Sequence, residues 1–144
     1  MASVRRRLAA AAVLGTVLAA AGIPMARAAG SGCFPGLCSR TANDSGAPVL
    51  VAHDWCGDAE KLLQNAPPCG AAATDHRLAT GARTPLADDW DAFRVDAGRC
   101  YRFDVTGPLS SGRTTETVDR RAAATGAWIR IHNDETAEIR AQQC

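Results

Sequence analysis

The stretch Trp90-Asp91-Ala92-Phe93-Arg94-Val95-Asp96-Ala97-Gly98-Arg99-Cys100-Tyr101-Arg102-Phe103-Asp104-Val105 reads as two alternating arms joined at Asp96-Ala97-Gly98-Arg99. Phe93 and Val95 share one side of the first arm; Tyr101, Phe103 and Val105 share one side of the second. Period-two alternation marks a half-buried strand, and a short glycine-containing turn between two such arms marks a hairpin. Cys100 opens the second arm, so a covalent tie is available there.

Working outward, two further hairpins are expected. Ser39 to Asn43 and Pro48 to Trp55 flank Asp44-Ser45-Gly46, a loop with glycine third, where a left-handed conformation is wanted. Val49, Val51, His53 and Trp55 share one face of that second strand. Near the C-terminus, a loop at Asn133-Asp134-Glu135 sets Ile131 against Ala137, Arg130 against Glu138, Ile129 against Ile139 and Trp128 against Arg140. Apolar pairs then meet on one face, with an ion pair and a cation–π contact on the other. Glu135 is the flaw, in a position that would prefer glycine. His76 to Thr80, Arg83 to Leu86 and Thr114 to Arg120 are weaker strand candidates; Arg120 to Thr125 has a helical turn as its alternative. Asp58 to Asn65 is the helix candidate, capped by Asp58 and stopped by Pro67-Pro68. About seven short strands between closely spaced turn signals predict an all-β fold, a small disulfide-stapled antiparallel sandwich or barrel with one short helix.

The N-terminal segment predicts export. Arg5-Arg6-Arg7, the uncharged run Leu8 to Ile23 and Ala26-Arg27-Ala28 follow the order of a secretory signal peptide, with residues 1–28 removed and 29–144 left as a single secreted β-rich domain. The apolar run is short for a membrane span, which needs about 20 residues. The arginine run leaves Sec and twin-arginine routes both open. The 116 residues after cleavage carry twelve basic and fifteen acidic side chains. That mildly acidic balance gives no electrostatic reason to hold nucleic acid or an anionic membrane.

Cys33, Cys38, Cys56, Cys69, Cys100 and Cys144 all follow the signal. An even number in an exported chain argues for disulfides rather than metal, since no second close Cys or His pair completes a tetrahedral site. The preferred pairing is Cys33–Cys38, Cys56–Cys69 and Cys100–Cys144, with Cys33–Cys56 as a rival. In the loop-entropy model the longest closure would stabilise by about 4 kcal/mol and the short ones by about 2–3 kcal/mol.

Arginine outnumbers lysine fifteen to one, and alanine is abundant. With the signal peptide, the cysteine count and the rhythm Leu78, Gly81, Thr84-Pro85, Asp89, Asp91, Phe93, Val95, Gly98, Cys100, the chain resembles small secreted actinobacterial proteins. The resemblance carries no catalytic residue across.

No catalytic constellation emerges. Gly-x-Ser-x-Gly, phosphate-loop and dinucleotide fingerprints are missing from the sequence. His53 shares a face with Val49 and Val51, which predicts a half-buried, hydrogen-bonded residue. His76 and His132 lie at turn or strand ends. Asp88, Asp89 and Asp91 crowd three carboxylates around Trp90, either a solvated acidic turn or a calcium-type cluster. Trp90, flanked by acids, is the tryptophan expected to be exposed and able to stack on a sugar, whereas Trp55 is expected in the core and Trp128 under Arg140. The candidate ligand-binding residues are therefore Trp90, Asp88, Asp89, Asp91 and His53, with no catalytic residue, metal or cofactor expected. The expected role is a secreted, non-enzymatic binding module presenting loops or an aromatic patch to an extracellular glycan or protein. The alternative is a proteinase inhibitor using Cys38-Ser39-Arg40-Thr41 or Asn65-Ala66-Pro67-Pro68-Cys69; a small extracellular enzyme is a third.

Overall fold

In the computed structural model, which describes residues 33–34, 37–56, 62–69, 76–108 and 112–144, the two arms of 90–105 do not pair with each other. The first is β5 (Ala92–Val95) and the second β6 (Cys100–Thr106), and they lie in different sheets. The other strands are β1 (Arg40–Asn43), β2 (Val49–Ala52), β3 (Leu63–Gln64), β4 (His76–Leu78), β7 (Thr114–Asp119), β8 (Ala127–Arg130) and β9 (Thr136–Ala141). One sheet has the order β1-β9-β6-β7, the other β3-β8-β5-β2-β4.

All three expected hairpins are instead arches between sheets: β1 to β2, β5 to β6 and β8 to β9. The alternation was read correctly as to which side chains face inward, but an arch satisfies it as well as a hairpin. In an arch the inward residues of the two arms face each other rather than lying side by side. Phe93 and Phe103 meet this way, edge to face at 4.9 Å. Val49, Val51, Phe93, Val95 and Ile129 from one sheet and Tyr101, Phe103, Ala137 and Ile139 from the other form one buried cluster, giving a sandwich-like all-β arrangement.

Local chemistry fixes each arch. Buried Asn43 donates from Nδ2 to the carbonyls of Ala47 and Leu78, while its Oδ1 accepts from the Ser45 amide. Its backbone is already engaged with Gly81 and Ala82, so β1 presents no edge to β2. Gly46 is not in a left-handed conformation, contrary to the hairpin reading, whereas Gly98 is, at φ +73°. In that β5–β6 turn Arg99 donates back to the Asp96 carbonyl and the Tyr101 hydroxyl bonds the Asp96 carboxylate. At the third arch Asp134 takes the left-handed position at φ +73°, and Glu135 closes the turn by donating its amide to the His132 carbonyl and accepting the His132 amide. Asp tolerates that conformation, which is why no glycine was needed.

Three finer expectations fall. The β1–β9 pair is parallel, so the first sheet is mixed rather than antiparallel. A parallel pair is open to β1 and β9 because they are not joined by a tight turn. No α-helix occurs among the described residues. Residues 58–61 of the expected helix lie outside them, and Leu63 and Gln64 pair with Ile129 and Trp128 of β8. A two-turn helix gains too little from its own hydrogen bonds to compete with such pairing. Arg83 to Leu86 contributes a single bridge, Arg83 to Ala42, rather than a strand.

The Arg130–Glu138 and Trp128–Arg140 pairs are also not made. Glu138 and Arg140 lie on the outer face of the first sheet, where Arg140 binds Asp44, Asp104 and Glu138, and Arg113 reaches Glu138 at 2.8 Å. The Thr115 hydroxyl and the Arg140 guanidinium hold the Asp104 carboxyl below the usual carboxylate range. Trp128 is buried on the outer face of the other sheet, with Ala52 and Ala92 and against Leu50 and Trp55.

The disulfides are Cys33–Cys38, Cys56–Cys69 and Cys100–Cys144, with Cα separations of 5.3, 4.8 and 5.4 Å. The last ties the C-terminal residue to the start of β6. Replacing both Cys100 and Cys144 by alanine is expected to lower unfolding free energy by about 2–5 kcal/mol in urea titration.

Gly126 begins the approach to β8 with its backbone against β5. A Cβ there would lie 2.7 Å from the Val95 carbonyl oxygen and 2.7 Å from Arg94 Nε. Gly126→Ala should therefore destabilise by about 1–3 kcal/mol. Gly46→Ala, which meets nothing within 4 Å, should stay within about 0.5 kcal/mol of wild type by the same measurement. A large loss at Gly46 would contradict the arch.

Candidate functional site

The residues singled out around Asp88–Asp91 come together with the start of β1 and the end of β2. The Trp90 amide donates to the Ser39 carbonyl, and the Asp91 amide to the His53 carbonyl. These two backbone bonds insert 89–91 between the first strands of the two sheets and turn Trp90 away from the two carboxylates.

Trp90 is 6 % exposed, not the accessible platform its acidic neighbours suggested. Those acids face away from the indole, so they do not draw it into solvent. The ring packs in the main core beside Leu78 and Ile131, and its Nε1 has no hydrogen-bond partner among the described residues. His53 lies over it at 3.6 Å between ring centres, tilted by 31°. His76 meets both edge to face, 5.3 Å from His53 and 5.0 Å from Trp90.

His53 is half-buried and its Nδ1 lies 2.9 Å from the Asp89 carbonyl oxygen. A carbonyl only accepts, so Nδ1 carries the proton and Nε2 of the neutral ring keeps its lone pair.

Asp89 and Asp91 converge on Ser39 rather than on solvent. Asp89 is buried and its Oδ1 accepts from the Ser39 amide at 2.8 Å and lies 2.6 Å from the Ser39 hydroxyl. Asp91 Oδ1 lies 2.9 Å from the same hydroxyl, and its Oδ2 accepts from the Trp55 amide at 3.1 Å. One hydroxyl proton cannot serve both carboxylates. Burial pushes the Asp91 carboxyl above the usual carboxylate range, and the neighbouring Asp89 charge adds to this against the opposing Ser39 bond. Protonation of Asp91, toward which burial shifts it, would let it donate to Ser39 while Ser39 donates to Asp89. Asp88 is half-buried and takes no part in these bonds among the described residues.

The arrangement differs from each chemical expectation for this segment. Asp89 Oδ1 and both Asp91 oxygens are engaged by Ser39 and the Trp55 amide, unlike the shared oxygen cage of a calcium site. Among the described residues no group of three or more His, Cys, Asp or Glu side chains converges for a metal ion. His76 is the residue that sequence reasoning set aside. It reaches His53 because the β2–β4 register places it opposite Val51, one step along the same face. That register is not written in either strand, since His53 and His76 stand twenty-three positions apart in the sequence. His132 is exposed in the third arch, and the ring contacts of His53, His76 and Trp90 do not include it.

The chain matches no family model, no curated protein and no solved structure.

Asp91→Asn tests the shared proton. Asparagine can donate from the Oδ1 position to Ser39 and accept from Trp55 at the other. A carboxyl whose native pKa is raised above its unfolded value of 3.8 makes stability fall as pH rises from that value through the native one. The variant lacks this loss. Its stability relative to wild type, measured by urea titration at pH 3 and pH 7, should shift in its favour at the higher pH. A difference independent of pH would remove the shared-proton account.

Proposed function

We propose that the protein is a secreted, non-catalytic interaction module whose ligand is the surface of another extracellular protein. The observation that carries this reading is the apolar tip of the Cys33–Cys38 clip. Phe34 is 76 % and Leu37 53 % exposed in a chain whose other aromatics are largely committed to its two cores. The tip stands on a fixed base. The Leu37 amide donates to the Phe34 carbonyl, the Asp134 amide donates to the Leu37 carbonyl, and Cys38 and Ser39 are buried at the root of β1.

Side chains held on a base that is bonded in place before contact avoid part of the conformational cost of association. Leu86, 61 % exposed, lies on a segment that leaves from Thr84, bonded to Thr41, and re-enters at Asp89, bonded to Ser39, so it flanks the same strand. Three disulfides are compatible with an extracellular setting. No helix among the described residues is long and apolar enough to cross a membrane. Cleavage of the signal segment and actinobacterial origin belong to this proposal.

The glycan version loses its support with Trp90 in the core. The inhibitor version keeps one of its two loops. Cys38-Ser39-Arg40-Thr41 is a largely buried strand entrance paired with β9, closed to a protease cleft, whereas Asn65-Ala66-Pro67 is exposed.

The test places a photo-crosslinking phenylalanine at position 34, exposes the protein to the medium of the secreting organism and identifies any adduct by mass spectrometry. The adducted protein is then purified and titrated. Phe34→Ser with Leu37→Ser should weaken its binding at least tenfold while leaving the unfolding midpoint unchanged. Absence of an adduct at position 34, or unchanged affinity of the double variant, would overturn the reading.

A further inference from the structure

We propose that His53 and His76 form a two-imidazole site for a divalent transition-metal ion of the Cu²⁺ or Zn²⁺ class. Three observations converge on it. The first is distance. A zinc ion bound to a ring nitrogen at about 2.0–2.1 Å lies about 3.2 Å from the ring centre, so two such rings at the tetrahedral angle have centres about 5.2 Å apart. The rings of His53 and His76 are 5.3 Å apart and nearly perpendicular, at 88°.

The second is orientation. Metal-bound histidines commonly donate their other ring nitrogen to a carboxylate or backbone carbonyl, which fixes tautomer and ring plane. His53 has this support from the Asp89 carbonyl at 2.9 Å, in a segment itself anchored by Ser39. The third is access. His53 is half-buried and His76 exposed at the start of the edge strand β4, so one ligand is fixed and the other faces incoming solvent.

Imidazole suits copper, nickel and zinc rather than magnesium or calcium, and copper heads the affinity order for such ligands. With two protein ligands the ion keeps at least two positions for water or for a donor from another molecule. The geometry is that of an open site, unlike a closed structural one. An edge-to-face contact between two rings would occupy the same distance range without any metal. The experiment separates these.

Metal-free full-length protein is titrated with CuCl₂ and with ZnCl₂ in a non-coordinating buffer, with calorimetry and tryptophan emission as readouts. Trp90 lies 3.6 Å from the His53 ring and 5.0 Å from that of His76, while Trp55 and Trp128 belong to the other cluster. One equivalent of Cu²⁺ should bind and quench part of the emission. His76→Ala, an exposed change, should weaken binding at least tenfold, and His132→Ala should leave it unchanged. Trp90→Phe should keep the binding and lose most of the quenching. His53→Ala removes the fixed ligand, and its thermal melt shows whether it is folded; His76→Ala decides the question if it is not. No saturable single-equivalent binding, or binding that His76→Ala leaves intact, would overturn the site and leave the ring contact as packing alone. Neither outcome bears on the Phe34 adduct.

Discussion

Phe93 and Phe103 meet across the two sheets, and the rest of the fold depends on that crossing. Nine residues lie between them in sequence, but they face each other only if the chain changes sheet between them. Gly98 supplies the left-handed turn, Tyr101 closes it onto Asp96, and Cys100 receives the C-terminal residue immediately after it. The same logic repeats at the other two arches. Each brings inward residues from consecutive strands into opposition, so the core is assembled from neighbours in sequence that are not neighbours in a sheet. Apart from the β6–β7 pair, sheet partners come from farther along the chain, as β1 and β6 from β9 and β3 from β8.

Buried polar groups decide which edges are free to pair. Asn43 and Gln142 illustrate this. Asn43 holds the first arch from inside, and Gln142 Nε2 donates to the Ser45 hydroxyl and the Ala47 carbonyl of that arch from the last strand's end. Ser39, Asp89 and Asp91 do the same at the other end of β1. Left unpaired, each group would cost about 1–3 kcal/mol in desolvation, so the correct arrangement is favoured by the penalty attached to every wrong one. Ser39 and its two acids also set the plane of His53 through the Asp89 backbone. In this sense the polar knot and the aromatic cluster are one construction.

Much of this was legible in the residues. The inward faces of 90–105 and the all-β class follow from alternation, and the preferred cysteine pairing is the one formed, although spacing alone left Cys33–Cys56 open as a rival. What did not follow was connectivity. Period two reports the side on which a residue lies, not the strand beside it, and an arch buries Phe93, Val95, Tyr101 and Phe103 as well as a hairpin does. The carboxamide of Asn43 was the missed signal, a buried side chain doing the work of a turn. The helix at Asp58 to Asn65 rested on a two-turn pattern too weak to resist pairing of Leu63 and Gln64 with β8. At the candidate site, Asp89, Trp90 and Asp91 were rightly singled out as a group, but their acids were read as pulling Trp90 outward when they are turned toward Ser39. His76 was invisible to local reading because its partner lies across a strand register that 53–75 does not encode.

The parallel pairing of β1 with β9 carries a consequence for the order of events during folding. Arg40 lies against Thr136 and Asn43 against Ile139, so the strand beside β1 in the first sheet comes after every other described strand in the chain. Until it exists, β1 has no partner on that side and β6 has only β7. The contact order of the molecule is consequently high, and chains of that kind close their long loops slowly. A nascent chain with β9 still missing lacks the strand that joins β1 to β6. Such a chain is held back from premature completion by its own topology.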